Sequence, residues 1–180
     1  MHSRVLHCLQ AGIQHVSSTE LFPTEMWDRV IKLNLTACFH TTRCALPKMQ
    51  QQGWGRIINV ASVHGLVASA KKAAYVAAKH GLIGFTKVTA LENAGNGITA
   101  NCICPGWVLT PLVQEQIEKK ATEQGISYKE AEQNLLAEKQ PSKEFVTPEQ
   151  VGSMASYLCT ESARQITGSH MVIDGGWTAQ

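Results

Sequence analysis

The chain has 180 residues, a formal net charge of +2, 44% hydrophobic and 17% charged residues. That is enough for one domain with a core, and too little charge for a nucleic-acid or acidic-membrane partner. No apolar run approaches the ~18 residues that span a bilayer, and the opening Met1-His2-Ser3-Arg4 is too polar for a secretion signal, so a cytoplasmic protein is expected.

Val5 to Leu9 is a short apolar run ending at Ala11-Gly12 and reads as a buried strand. Phe22-Pro23-Thr24-Glu25 carries helix-start signals, and apolar spacing through Trp27, Val30, Ile31, Leu35, Phe39, Leu46 and Met49 predicts one long helix ended by Gly53. The residues from Arg56 to Ser62 read as a strand buried on both faces of a parallel sheet. A second helix is expected from about Ala73 to Glu92, broken by Gly95-Asn96-Gly97, and a third strand from Ile98 to Cys104, stopped by Pro105-Gly106. Residues 110–144 are polar and helical in pattern, with Leu112, Ile117, Leu135 and Leu136 as their main apolar positions. They read as a surface helical excursion or a substrate lid. Thr147 caps a last helix with Pro148 at its first position, and Met171-Val172-Ile173 gives a final strand.

Strands alternating with helices predict a single α/β domain with a parallel sheet. Ligands of such sheets sit at the carboxyl ends of the strands, where Ala11-Gly12, Ser62 and Pro105-Gly106 all fall. The cysteines Cys8, Cys38, Cys44, Cys102, Cys104 and Cys159 form no C-x-x-C pair, and the seven histidines form no H-x-x-x-H pair. No structural metal is expected, and Cys102 and Cys104, on one face of a strand, read as buried reduced thiols.

Tyr75 and Lys79 are four residues apart on the second helix and so share a face. A phenol titrates near ~10, and a nearby cation would lower that value. The pair is therefore suited to moving a proton onto or off an alcohol oxygen, although surface Tyr and Lys also meet by chance. Tyr128 and Tyr157 have glutamates at the same offset instead.

Asn34, Ser62 thirteen residues before Tyr75, Lys79, Pro105-Gly106 and Asp174-Gly175-Gly176 together resemble the short-chain dehydrogenase/reductases in order and spacing. The runs 11–15, 61–69, 103–108 and 165–168, with the end at Trp177, are similar to the branch of that family that interconverts D-3-hydroxybutyrate and acetoacetate with NAD. The resemblance implies a Rossmann-like, doubly wound parallel sheet, and roles for each matching residue. Tyr75 would be the acid/base, Lys79 would lower its pKa and hold the nicotinamide ribose, Ser62 would bind the substrate oxygen, and Asn34 would hold a water leading to Lys79. Gln14, His64, Lys72 and Gln116 would hold the carboxylate of a small hydroxy acid, which needs charge and donors when buried. Ala11, Gly12, Pro105, Gly106, Val108 and Thr110 would contact the cofactor, and a homotetramer would be the assembly.

The chain departs from the family pattern in two places. It contains no T-G-x-x-x-G-x-G turn for the dinucleotide pyrophosphate, and the family's Asn-Asn-Ala-Gly reads Leu9-Gln10-Ala11-Gly12. The resemblance begins near the family's fourth strand, so the fold is expected to be the C-terminal part of the domain and residues 1–180 alone are not expected to turn over NAD. An acyl-carrier or sugar reductase of the same family, or an inactive scaffold, are the alternative readings.

Overall fold

The computed structural model describes residues 6–9 and 12–179. Four strands, β1 (Leu6–Leu9), β2 (Gly55–Val60), β3 (Ile98–Pro105) and β4 (His170–Ile173), form one all-parallel sheet in the order β1-β2-β3-β4. Six α-helices accompany them: α1 (Thr24–Ile31), α2 (Ala37–Gln52), α3 (Ala73–Asn93), α4 (Pro111–Gln124), α5 (Tyr128–Lys139) and α6 (Pro148–Leu158). The α/β expectation holds, and the strand-end residues Gly12, Ser62, Pro105 and Gly106 lie on one rim, lining a common cavity. The predicted strand start Val5, and Ala11, lie outside the described residues.

Both faces of the sheet are covered, which is why its central strands are mainly apolar, with Arg56, Asn59, Thr99 and Asn101 buried among the apolar residues. Ile57, Ala100, Cys102 and Cys104 pack under α2 and α3, against Cys38, Met49, Leu82, Ile83 and Ala90. Ile58 and Ile103 pack on the other face with Val146, Val151 and Leu158, the last two from α6. Period-two alternation sends adjacent β2 residues to opposite cores. A capping box between Thr147 and Gln150 starts α6. Gly53 ends α2 at φ 62°, a left-handed turn that glycine takes without strain.

The long first helix runs from Thr24 to Gln52 without a gap but is not α-helical throughout. A π-turn over Lys32–Thr36 separates α1 from α2, and its centre is Asn34, fully buried. The Asn34 side chain donates to the carbonyls of Val30 (2.9 Å) and Ile13 (2.8 Å), and its Oδ1 accepts the Ile13 N–H (3.2 Å). A side chain that bonds the carbonyl four residues back competes with the helix's own ladder, and π-turns arise where a helix yields to such a demand. Helical apolar spacing alone does not register a one-residue insertion.

Residues 110–144 are less superficial than their polarity suggests. Thr110 precedes α4, Gly125 (φ 63°) ends it, and Ser127 caps α5 by accepting the Glu130 N–H. Between them lies a small core of Val113, Ile117, Ala131 and Leu135, with Trp107 and Phe145 packed against it. Lys120 and Glu138 pair across the two helices at 3.5 Å. Small residues such as Ala131 hid this interface from a reading that counted only large apolar ones.

Asn34→Ala leaves both backbone groups of Ile13 without their partner. We expect a loss of about 2–3 kcal/mol in stability by denaturant titration, with the loop from Gly12 to His15 exchanging its amide protons faster. Unchanged stability would mean that the clamp contributes nothing.

Candidate active site

Two turns converge at the carboxyl ends of β2 and β3. After β2, Ser62 opens a 3-10 turn over Val63–Gly65 and its Oγ accepts the His64 N–H at 3.2 Å. No Cβ fits at Gly65, since it would stand 2.9 Å from the Lys79 carbonyl; the turn therefore packs directly on α3. After β3, Gly106 donates its N–H to the Ile173 carbonyl at 2.9 Å. Between them is a cavity of about 300 Å³.

Of the residues singled out in the sequence, Gly12, Gln14, Ser62, His64, Lys72, Tyr75, Lys79, Pro105, Gly106, Val108, Thr110 and Gln116 all line this cavity. Ala11 lies outside the described residues. Asn34 does not line it but holds Ile13, the residue immediately before Gln14; the side chain's two donors are both used by carbonyls. Ser17 bonds the Lys71 carbonyl at 2.9 Å, so the loop after β1 is also tied to the start of α3.

Lys79 is 4% exposed. Its Nζ donates to the Val60 carbonyl at 2.9 Å and lies 5.7 Å from the centre of the Tyr75 ring. Burial lowers its pKa from 10.5 to about 8, opposed by nearby Cys38, Cys102 and Cys104. Those thiols are themselves pushed up by burial, Cys102 to about 11 and Cys104 to about 12, so they are neutral at physiological pH. The three are free cysteines, as expected of Cys102 and Cys104.

Tyr75 differs from expectation. Burial raises its pKa, and a hydrogen bond with the Ser62 side chain pulls the other way. Proximity of the lysine alone predicted a depressed phenol; removal from water outweighs it here. The result is a protonated phenol beside an ammonium that releases its proton readily.

A second lysine and aromatic rings also line the cavity. Lys72 Nζ sits 5.1 Å over the Trp107 ring, a cation–π arrangement, and burial lowers its pKa while Glu138 raises it. His64, 4% exposed, shares a hydrogen bond with Ser69 Oγ at 3.0 Å and meets Tyr75 and Trp177 edge-on at 5.8 and 5.4 Å. Burial, and then the charges of Lys72, His80 and Lys139, lower its pKa to about 4, which leaves a neutral ring. Trp107 and Trp177 contact each other at 5.5 Å. These two tryptophans were not singled out as site residues; their positions beside Pro105-Gly106 and Gly175-Gly176 at strand ends are the signal that finds them. Among the described residues, no group of three or more His, Cys, Asp or Glu is placed to hold a metal, and no helix is long and apolar enough to cross a membrane.

A parallel α/β sheet with Ser, Tyr and Lys gathered at its carboxyl rim is the architecture of the short-chain dehydrogenase/reductases, and the chain belongs to that family. The family model described as Enoyl-(Acyl carrier protein) reductase matches residues 5–178. The D-beta-hydroxybutyrate dehydrogenase of Cupriavidus necator is 63% identical over 170 residues, which cover 94% of this chain and 66% of that protein. This chain thus spans somewhat less than two thirds of that relative's length. A solved actinorhodin polyketide ketoreductase (F189W) with NADPH superposes with a TM-score of 0.91 at 34% identity, covering 97% of this chain and 67% of that one. A 4-hydroxyisoleucine dehydrogenase mutant complexed with NADH and succinate gives 0.86 at 35% identity, covering 97% and 68%.

The depressed His64 pKa has a stability consequence with a definite sign. Between about 6.5 and about 4 the unfolded chain binds a proton at this histidine and the folded chain does not, so stability present above pH 6.5 is lost as pH falls. We expect the wild type to lose roughly 3 kcal/mol more than His64→Asn over that window, read from thermal or denaturant midpoints. Parallel curves for the two proteins would show that His64 titrates normally.

Proposed function

We propose that this chain carries the catalytic part of a cytoplasmic NAD-dependent oxidoreductase that interconverts D-3-hydroxybutyrate and acetoacetate. One observation carries the reading: a single cavity is lined both by Ser62, Tyr75 and Lys79 and by Lys72, His64, Gln14 and Gln116. The first set suits an alcohol or ketone oxygen, the second a carboxylate. A cavity of about 300 Å³ is at the small end of ligand sites, which favours a short acid over an acyl-carrier or sugar substrate. The similarity to D-beta-hydroxybutyrate dehydrogenases and to a dehydrogenase complexed with NADH and succinate supports it.

The residues fit a nicotinamide group. Gly106 leaves no room for a side chain, since a Cβ would stand 2.6 Å from Gln140 Oε1, so the rim there is bare backbone. Gly12, Pro105, Val108 and Thr110 continue that rim, and the buried Lys79 ammonium suits a sugar hydroxyl. When bound, the cofactor supplies the hydride acceptor or donor.

In reduction, the Tyr75 hydroxyl donates its proton to the ketone oxygen as the carbon receives hydride, and the oxygen becomes the alcohol. Ser62 donates a hydrogen bond to the same oxygen. Lys79 stabilises the phenolate that remains, and restores the proton from solvent. A phenol held above its ordinary pKa by burial is protonated at neutral pH, so the pair as it stands is set for reduction. Oxidation runs the same steps backwards and needs the phenolate, so it gains as pH rises. Lys72 fixes the carboxylate; the neutral His64 ring, Gln14 and Gln116 orient it by hydrogen bonds.

The outer positions Phe39, Val88 and Leu91 on α2 and α3 are 43%, 52% and 82% exposed, an apolar face that supports a homotetramer, which light scattering would detect against a monomer.

The activity test joins residues 6–179 to the segment of the Cupriavidus necator relative that the chain does not match. We expect this protein to oxidise D-3-hydroxybutyrate with NAD. Tyr75→Phe should cut turnover by about 10²-fold or more, and Lys72→Ala should raise the KM for the acid about tenfold or more with little change in that for NAD. The 180 residues alone should show no turnover. Turnover of Tyr75→Phe at the wild-type rate, or an unchanged KM in Lys72→Ala, would reject the assigned roles.

A further inference from the structure

At the end of α5 stands Gln140, 1% exposed and among the largest fully buried side chains. Its Oε1 accepts the Trp107 backbone N–H at 2.9 Å, and its Nε2 donates to the Glu144 carbonyl. The Trp107 carbonyl accepts the Val146 N–H at 2.8 Å. The Trp107 peptide is therefore held on both sides by residues 140–146.

Two glycines make room for this amide. A Cβ on Gly106 would stand 2.6 Å from Gln140 Oε1, and one on Gly175 would stand 2.7 Å from Gln140 Cγ. Gly175 (φ 59°) also accepts the Ser142 N–H at 3.0 Å. Gln140 is thus the meeting point of three segments: the loop after β3, the return from α5, and the turn after β4. That turn is itself fixed by Asp174, which accepts from the Gly176 N–H and from Thr178 and so places Trp177.

A space-filling role does not need an amide. Burying one is unfavourable unless both of its ends are paired, and here they are paired to backbone of two different segments. Such a pairing is directional: it fixes where the Trp107 peptide lies, and hence where its indole stands over Lys72 and against Trp177. The Trp107 indole Nε1 is buried and has no hydrogen-bond partner, so the ring is held by packing and by its contacts with Lys72 and Trp177, and the directional hydrogen bonds of this residue are those of its backbone.

We propose that Gln140 is a positioning residue that makes the α4–α5 arm and the Trp107 wall of the cavity one mechanical unit. Movement of the arm then moves the wall beside Lys72. What the wall touches rests on the hydroxy-acid reading; the coupling does not, and it is tested without any substrate.

Gln140→Met keeps the length of the side chain and removes both hydrogen bonds. In the full chain, hydrogen exchange at the Trp107 amide should speed up about tenfold or more, while the β3 amides from Ala100 to Cys104 exchange as in the wild type. The near-ultraviolet circular dichroism that arises from the Trp107–Trp177 contact should fall by about half or more, identified by its loss in Trp177→Phe. Gln140→Glu, which keeps an acceptor but no donor, should leave Trp107 protected and speed exchange at residues 144–146 only. An unchanged Trp107 amide in Gln140→Met, or an equal loss across β3, would overturn the proposal. Should Gln140→Met not fold, loss of Trp107 protection in Gln140→Glu would overturn it as well.

Discussion

The site depends on a buried ammonium. Lys79 reaches from α3 to the last carbonyl of β2, over a floor of neutral thiols. No carboxylate is among the causes that set its pKa, so burial is met by a carbonyl dipole rather than by a counter-charge. A cation in that position destabilises the fold. Its pKa of about 8 means that stability recovers as pH rises from there towards 10.5, where the unfolded chain still binds the proton and the folded chain has released it. Proteins keep such local conflicts where function requires them, and a lysine close to releasing its proton is what a Tyr–Lys proton path needs.

The rest of the rim follows from the parallel register. β2 and β3 pair in parallel from Gly55 with Ile98 to Val60 with Ile103, and β3 runs on to Pro105, so the turns that follow them open on one rim. α3 packs across both, and its 3.6-residue period puts Tyr75 and Lys79 over that gap. The Asn34 clamp on Ile13 sets the loop that carries Gln14, and residues 140–146 set Trp107. The cavity consequently gathers Ser62, Tyr75, Lys79 and Lys72 with the indole rings of Trp107 and Trp177. His64 is bonded to Ser62 by its backbone and meets Tyr75 and Trp177 edge-on by its ring.

Much of this was legible in the sequence, and for physical reasons. Short, mainly apolar runs that follow a glycine marked β2 and β3, because strands buried on both faces are rich in such residues, although Asn59 and Asn101 are buried within them. The four-residue spacing of Tyr75 and Lys79 placed both on one helix face. The resemblance added Ser62, Gln14, His64, Lys72 and Gln116, which share the cavity. What stayed hidden was set by tertiary contact. The π-turn at Asn34 exists because a loop 21 residues away needs its amide. The direction of the Tyr75 shift depends on burial, which a spacing does not report. Gln140 looked like any polar residue at a helix end, and its role appears only when Trp107, 33 residues earlier, lies against it.

The most direct test is the titration of Lys79 itself. With 13C-labelled lysine in the chain, and with the Lys79 resonance assigned by its disappearance in Lys79→Met, NMR should show one lysine side chain titrating near pH 8. A Lys79 resonance that titrates near 10.5, together with the exposed lysines, would contradict the buried ammonium on which the site is built.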